Sequence, residues 1–207
     1  MFLETLAPDT KKVLEKISKS DWLEKYYLAG GTALALQYGH RQSVDLDWFT
    51  EKNFSTKVLL SKLQKFGKFQ VLNEEENTLE GYLDGVKMSF MTYPYSLLKP
   101  VIKFSDKVKV ADKMDIALMK ITAISDRNTK KDFIDLYWYL HIEKTDLIGL
   151  FAKLNKKYVG INYDVVHICK SLVYFKEAEV QPLPQMMQSI NWAKIKSFFV
   201  SEVKKIV

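Results

Sequence analysis

Hydrophobic and polar residues change their spacing along the chain. Helical spacing predicts a helix beginning at Pro8, a short one over 32–38, and one from Ser55 to Phe66. Strands are predicted over 22–29, 44–49, 69–72, 78–83 and 86–92. The Asp84-Gly85 dipeptide between the last two strands is typical of a two-residue hairpin turn. From residue 112 onward only helices are predicted, near 112–125, 130–141, 145–157, 162–175 and 191–206.

This order of elements predicts an α+β protein, with an α/β first half and a helical second half that meet near residues 100–111. Hydrophobic residues make up 47% and charged residues 27% of the 207 residues, an ordinary mix for a soluble globular protein. The single cysteine, Cys169, excludes an intrachain disulfide and a cysteine-based zinc site. Because there is no long apolar run and no signal-peptide core, we expect a cytoplasmic protein without membrane contact.

Positive charge is concentrated in the second half of the chain. The net charge is −1 for residues 1–98 and +7 for residues 99–207. For any single lysine a solvated face is the simpler explanation, and it is their concentration in one half that favours RNA as a partner. The lysines concerned are Lys153, Lys156, Lys157, Lys194, Lys196, Lys204 and Lys205. Only two basic residues are arginines, Arg41 and Arg127, which marks them as candidates for sites that need a planar, bidentate donor.

One segment of the first half combines two features of phosphate chemistry. Gly30-Gly31 ends a predicted strand and Thr32 begins a helix, whose free N–H groups favour an anion such as phosphate. Asp45 and Asp47 alternate with apolar residues on the next strand, so both carboxylates lie on one face and can share a divalent cation. Alone, each feature is explained by a turn or a solvated strand face. Together they match the needs of metal-assisted phosphoryl or nucleotidyl transfer.

Two blocks of sequence resemble a known family. The first is Leu28-Ala29-Gly30-Gly31-Thr32-Ala33-Leu34 followed by His40-Arg41-Gln42-Ser43-Val44-Asp45-Leu46-Asp47-Trp48-Phe49. The second is Lys120, Arg127 and Lys131-Asp132-Phe133-Ile134-Asp135-Leu136. Both resemble the AbiEii/AbiGii toxin family of the nucleotidyltransferase superfamily, which has the polymerase-beta-like fold. The resemblance implies a mixed β-sheet flanked by helices in residues 1–105, and a C-terminal helical bundle in residues 106–207 that contributes Lys120 and Asp132 to the cleft.

The resemblance also implies the roles of individual residues. Its catalytic residues are Asp45, Asp47, Lys120 and Asp132, and the first two bind Mg²⁺ or Mn²⁺. Its nucleotide-binding residues are Gly30, Gly31, Thr32, Arg41, Ser43, Arg127 and Lys131. Lys120 is expected to contact phosphates or base, and Asp132 to act as an acid–base group or to organise the cleft. Arg41 either contacts a phosphate or braces the strand of Asp45 and Asp47, and Arg127 either pairs with a carboxylate or meets the substrate.

The implied function is that of a Mg-dependent enzyme that transfers a nucleoside monophosphate from an NTP to an acceptor hydroxyl, with tRNA or other RNA as the expected acceptor. The family setting implies a toxin with a cognate antitoxin, in a toxin–antitoxin or phage-defence system. One position departs from the superfamily, because Ser89 stands where a third carboxylate is often found. A catalytically weak nucleotide- or RNA-binding module on the same fold therefore stays open, as does a small-molecule (antibiotic) nucleotidyltransferase with an acidic acceptor cleft.

Overall fold

The computed structural model describes residues 1–206 as a mixed β-sheet followed by packed helices. The first part contains α1 (Pro8–Ile17), β1 (Tyr27–Ala29), α2 (Gly30–Tyr38), β2 (Leu46–Thr50), α3 (Thr56–Leu63), β3 (Phe69–Glu75), β4 (Thr78–Leu83), β5 (Val86–Thr92), β6 (Ile102–Lys103) and β7 (Lys109–Val110). The second part contains α4 (Lys113–Arg127), α5 (Lys130–Ile142), α6 (Leu147–Lys157), α7 (Val165–Leu172), α8 (Lys176–Glu179) and α9 (Trp192–Val203). The predicted α+β class is confirmed.

The seven strands form one sheet in the order β3-β4-β5-β2-β1-β7-β6. The pairs β2–β5 and β1–β7 are parallel, and the other neighbours are antiparallel. Asp47 of β2 lies opposite Ser89 of β5, and Ser89 lies opposite Glu80 of β4. Because side chains opposite each other on neighbouring strands share a face, these three residues lie on the same side of the sheet.

The other face of the sheet carries the core of the first half. Trp48, Phe90 and Leu79 are fully buried there and belong to one apolar cluster with Leu14 of α1 and Leu63 of α3. Burying side chains of this size contributes about 1.5–3 kcal/mol each, so this face anchors the sheet. The sheet face that carries Asp47 stays free of these two helices and is available for a site.

The helices of the second half have a separate apolar cluster, which includes Leu118, Phe133, Leu150 and Phe199. The boundary expected between residues 105 and 106 falls between β6 and β7, which pair with each other. The division into two domains at that point stays a prediction. Within residues 1–206, no helix combines the length and apolar character that crossing a membrane requires.

Two local expectations differ from the structure, and one is confirmed. The strand predicted over 22–29 is wrong in its first part, since residues 21–25 form a 3-10 helix and β1 begins at Tyr27. Strand β2 begins at Leu46, so Asp45 immediately precedes the strand instead of lying on it. The hairpin is confirmed, because Asp84 and Gly85 adopt φ values of 49° and 86° between β4 and β5, as a two-residue turn requires.

Candidate active site

A cavity of about 610 Å³ lies between the open face of the sheet and α4. Ten of the predicted site residues line it: Gly30, Gly31, Thr32, Arg41, Ser43, Asp45, Asp47, Lys120, Arg127 and Lys131. Asp132 does not line the cavity, and its side chain is fully buried behind Lys120. The structure therefore brings both sequence blocks to one place, with the first block on the sheet side and the second on α4 and α5.

Asp45 and Asp47 are the two carboxylates at the sheet side of the cavity. The side chain of Asp45 is 32% exposed, and its Oδ2 atom lies 3.8 Å from the Nζ atom of Lys131. Burial raises the pKa of Asp47, and the negative charge of Asp45 raises it further. A cation bound between the two carboxylates would neutralise this repulsion.

These two residues fit a magnesium or manganese ion that shares its ligands with a nucleotide. Among residues 1–206, no group of three or more His, Cys, Asp or Glu side chains is arranged to hold a metal ion. Mg²⁺ keeps several waters and is usually bound through one or two carboxylates and substrate phosphates. Asp45 and Asp47 therefore supply a sufficient protein contribution, and the remaining ligands would come from phosphate and water.

The glycine pair at the start of α2 has a steric cause that the sequence did not reveal. Gly30 has φ +67°, and a Cβ atom there would lie 2.6 Å from the Oδ2 atom of Asp47. A Cβ atom at Gly31 would lie 2.1 Å from the Nη2 atom of Arg41. Both distances are well below van der Waals contact, so the glycines make room for the Asp47 carboxylate and the Arg41 guanidinium. Because α2 also lacks a side-chain N-cap, its first N–H groups are available to an anion.

Thr32 and Ser43 hold the segment that leads into β2. The two hydroxyl oxygens lie 2.7 Å apart, and the Thr32 hydroxyl donates to the backbone carbonyl of Asp45. Both residues are nearly inaccessible to solvent. In this structure their hydroxyls position the Asp45 backbone, which places the first carboxylate beside the cavity.

A buried group of charged side chains connects the two sequence blocks. Arg41 makes a bidentate contact with Asp135, with Nε–Oδ1 at 2.7 Å and Nη2–Oδ2 at 2.8 Å. Lys120 places its Nζ atom 2.7 Å from Oδ2 of Asp135 and 2.6 Å from Oδ1 of Asp132. Burial alone would raise the pKa of Asp135, but Arg41 and Lys120 hold it well below its usual range.

Arg127 and Asp132 extend this group to the mouth of the cavity. The Arg127 guanidinium donates to both Asp132 oxygens, at 2.8 and 3.0 Å, while its side chain stays 55% exposed. Burial opposes ionisation of Asp132, but Lys120 and Arg127 outweigh it and lower its pKa. The Asp132 carboxylate accepts four hydrogen bonds, from Lys120, Arg127 and Thr129, and a carboxylate that is held in this way and resists protonation is unsuited to acid–base catalysis. Of the two expected roles for Asp132, the geometry favours organising the cleft.

His40 completes the buried group. Its Nε2 atom lies 2.9 Å from Oδ1 of Asp135, and its Nδ1 atom is buried without a hydrogen-bond partner in residues 1–206. Burial lowers the pKa of His40, so the ring is neutral near pH 7. Because the Asp135 carboxylate is ionised and can only accept, Nε2 carries the hydrogen. The sequence contained Asp135 within its second block but gave no sign of this contact.

The basic surface expected in the second half is smaller than the sequence indicated. Lys157 is wrongly included in it, because its side chain is buried and its Nζ atom lies 2.7 Å from Asp115. Lys196 and Lys205 are paired with Glu179 and Glu202, respectively. The sequence could not show that packing of α6 against α4 buries Lys157.

Comparisons with known proteins agree with this fold. Residues 12–104 match the family described as nucleotidyl transferase AbiEii toxin, Type IV TA system. An uncharacterized protein of Aquifex aeolicus (strain VF5) is 36% identical over 208 residues, which covers 98% of both chains. A solved structure described as a nucleotidyltransferase from H. pylori has a TM-score of 0.60 at 17% identity, covering 96% of this chain and 93% of that one. MenT4, a nucleotidyltransferase toxin from Mycobacterium tuberculosis H37Rv, has a TM-score of 0.52 at 12% identity, covering 95% of this chain and 84% of that one.

The sheet, the cavity and these structural similarities define the chain as a protein of nucleotidyltransferase fold. More particularly, residues 12–104 of the chain belong to the AbiEii nucleotidyltransferase toxin family. The match to the family ends at residue 104, before α4. The second block, from Lys120 to Asp135, is therefore tied to the site by its geometry.

Proposed function

We propose that the protein transfers a nucleoside monophosphate from an NTP to a hydroxyl group of an RNA acceptor, and that it acts as a toxin countered by a cognate antitoxin. The observation that carries this proposal is the meeting of the uncapped N-terminus of α2 with the carboxylates of Asp45 and Asp47 in one cavity. The first feature suits phosphate oxygens and the second suits a divalent cation.

The basic residues around the cavity differ in whether they have hydrogen-bond donors left to contact a substrate. Arg41 donates through Nε and Nη2 to Asp135 and through Nη1 to the backbone carbonyl of Gln42, so we assign it to bracing the site. Lys120 uses two of its three ammonium hydrogens on Asp132 and Asp135, which leaves one for a phosphate oxygen on the cavity side. Arg127, whose side chain is 55% exposed, keeps donors for the same purpose.

The reaction follows from this arrangement. The N–H groups at Gly30 to Thr32 and the cationic side chains of Lys120 and Arg127 hold the triphosphate. A divalent cation held by Asp45 and Asp47 would supply charge neutralisation at the phosphates. The acceptor oxygen attacks the α-phosphorus, and the bond to the departing pyrophosphate breaks.

One part of the cavity is apolar and is suited to a nucleobase. Phe49, Met91, Tyr93, Ile116 and Met119 line it. The rings of Phe49 and Tyr93 meet edge to face with centroids 5.6 Å apart, and Tyr93 is held by a 2.7 Å hydrogen bond to Tyr158. Aromatic surfaces of this kind stack on any of the four bases, so we expect a weak base preference.

An RNA acceptor is supported by charge and by the composition of the cavity wall. Residues 99–207 carry a net charge of +7, which attracts polyanions. The charged residues that line the cavity are mixed in sign, with Asp45, Asp47, Glu80 and Asp126 facing Arg41, Lys87, Lys120, Arg127 and Lys131. This wall is not acidic enough to favour a cationic small molecule as the acceptor.

The experiment incubates the protein with each of the four α-labelled NTPs, Mg²⁺ or Mn²⁺, and total bacterial RNA. We expect label in RNA with the wild-type protein and a loss of at least about 100-fold in Asp47→Asn. Asp21→Asn is the matched control, because the Asp21 side chain is 88% exposed and outside the cavity. Transfer that persists in the Asp45→Asn and Asp47→Asn double variant would contradict the site, and NTP binding without transfer would favour a binding module.

Toxicity is tested separately by inducing expression in a bacterial host. Growth arrest by the wild-type protein and normal growth with Asp47→Asn at equal protein level are expected. Arrest by both proteins would separate toxicity from the carboxylate pair and contradict this part of the proposal.

A further inference from the structure

Three neighbouring strands align Glu80 with the carboxylate pair. Asp47 of β2 is opposite Ser89 of β5, and Ser89 is opposite Glu80 of β4. All three residues line the cavity. They form a row across the open face of the sheet, with an acid at each end and a short hydroxyl side chain between them.

The Glu80 side chain has room to reach into the cavity in front of Ser89. Strands lie about 4.8 Å apart, which places the Cα atoms of Glu80 and Asp47 roughly 10 Å from each other. The small side chain of Ser89 leaves the space between them open to the cavity, and a glutamate reaches one methylene further into it than an aspartate. The Glu80 side chain is half-buried, and it takes part in no ion pair within residues 1–206.

The order of the strands places Glu80 on the acceptor side of the site. The N-terminus of α2 follows β1, which flanks β2 on one side, while β5 and β4 lie on the other. In phosphoryl transfer the attacking and leaving oxygens are roughly in line, on opposite sides of the phosphorus. If the triphosphate lies at α2, the acceptor hydroxyl approaches from the side of β5 and β4.

We propose that Glu80 is the general base for the acceptor hydroxyl and that it takes the place of the carboxylate that is absent at position 89. This inference rests on the proposed nucleotidyl transfer. The acceptor O–H proton moves to the Glu80 carboxylate as the oxygen forms its bond to the α-phosphorus. The bond from the α-phosphorus to the bridging oxygen breaks, and pyrophosphate leaves with that electron pair. The proton on Glu80 then passes to solvent.

The test compares Glu80→Gln and Glu80→Ala with Glu75→Gln, an exposed glutamate on β3 outside the cavity. Label transfer to total RNA is measured with and without added formate, and the affinity for an NTP analogue is measured in Mn²⁺. We expect both Glu80 variants to lose at least about 100-fold in transfer while their NTP affinity stays within about 3-fold of wild type. Formate should partly restore label transfer in Glu80→Ala. Its carboxylate can replace a missing general base, but it cannot replace a side chain whose role is structural.

Each outcome decides between this inference and the broader proposal. Wild-type transfer rates in Glu80→Gln would overturn the role of Glu80 and leave nucleotidyl transfer intact. Loss of Mn²⁺-dependent NTP binding in Glu80→Gln would overturn it in favour of a ligand role. Loss of transfer in Asp126→Asn, with full activity in Glu80→Gln, would assign the base to α4. A wild-type protein that labels no RNA with any NTP would overturn the proposed function and the inference together.

Discussion

Replacing Asp135 with asparagine removes the negative charge at the centre of the buried group. Asp135 accepts from Arg41 at 2.7 and 2.8 Å, from His40 at 2.9 Å and from Lys120 at 2.7 Å. An asparagine presents an NH₂ group to one of these donors, leaves the buried Arg41 without its carboxylate, and leaves Lys120 with Asp132 alone. Removing one partner of a buried ion pair costs about 3–5 kcal/mol, which is a large share of the typical 5–15 kcal/mol of a folded protein.

The assay for Asp135→Asn is urea denaturation followed by tryptophan fluorescence, because the ring of Trp138 lies 5.8 Å from that of His40. With an m-value of about 3 kcal/mol/M, the loss moves the midpoint down by roughly 1–1.7 M urea. Asp21→Asn, at an exposed side chain, serves as the control and should leave the midpoint unchanged. A midpoint for Asp135→Asn equal to that of the control would refute the view that this group holds the two sequence blocks together.

Two further changes probe the same region. Gly31→Ala places a methyl group 2.1 Å from the Nη2 atom of Arg41, so it should weaken the contact with Asp135 and lower the free energy of unfolding by about 1.5–3 kcal/mol in urea denaturation. His40 has a pKa below its usual 6.5 because of burial, so the unfolded chain takes up its proton first as the pH falls. The free energy of unfolding should therefore fall between pH 7 and pH 5, by about 1.4 kcal/mol for each unit by which folding lowers the pKa of His40. The His40→Gln variant should lose this part of the pH dependence.

Matched variants control both predictions. Gly149→Ala, within helix α6, should lower stability less than Gly31→Ala, because its Cβ atom would lie 3.1 Å from the nearest side-chain atom instead of 2.1 Å and because alanine favours a helix over glycine. His167→Gln, at an exposed position, should keep the wild-type dependence on pH. Equal midpoints for Gly31→Ala and wild type, or an unchanged pH dependence in His40→Gln, would contradict the geometry of the buried group.

Local chemistry explains which parts of the fold were predictable. The hairpin of β4 and β5 follows from Asp84-Gly85 alone, since these residues accept the positive φ values of the turn. The predicted strand over 22–29 fails because its first part is determined by distant contacts. Trp22 packs against Phe66 and Phe90, and a 3-10 helix at Asp21–Lys25 makes that packing compatible with a chain turning into β1.

The site shows the same division between local and long-range information. Asp45 and Asp47 follow from their spacing in one short segment. The contact between Arg41 and Asp135 joins residues 94 positions apart, and only the rarity of arginine signalled that such a partner exists. Glu80 was within reach of the sequence, because a two-residue turn at Asp84-Gly85 places it directly opposite Ser89.

We propose that one cavity binds both the triphosphate, at α2, and a divalent cation, at the carboxylate pair. The most direct test of this proposal is a crystal structure with Mn²⁺ and a non-hydrolysable NTP analogue, in which anomalous scattering locates the metal. We expect Mn²⁺ between Asp45 and Asp47 and phosphate oxygens at the N–H groups of Gly30 to Thr32. A nucleotide bound elsewhere, or a metal that does not contact either carboxylate, would contradict this proposal.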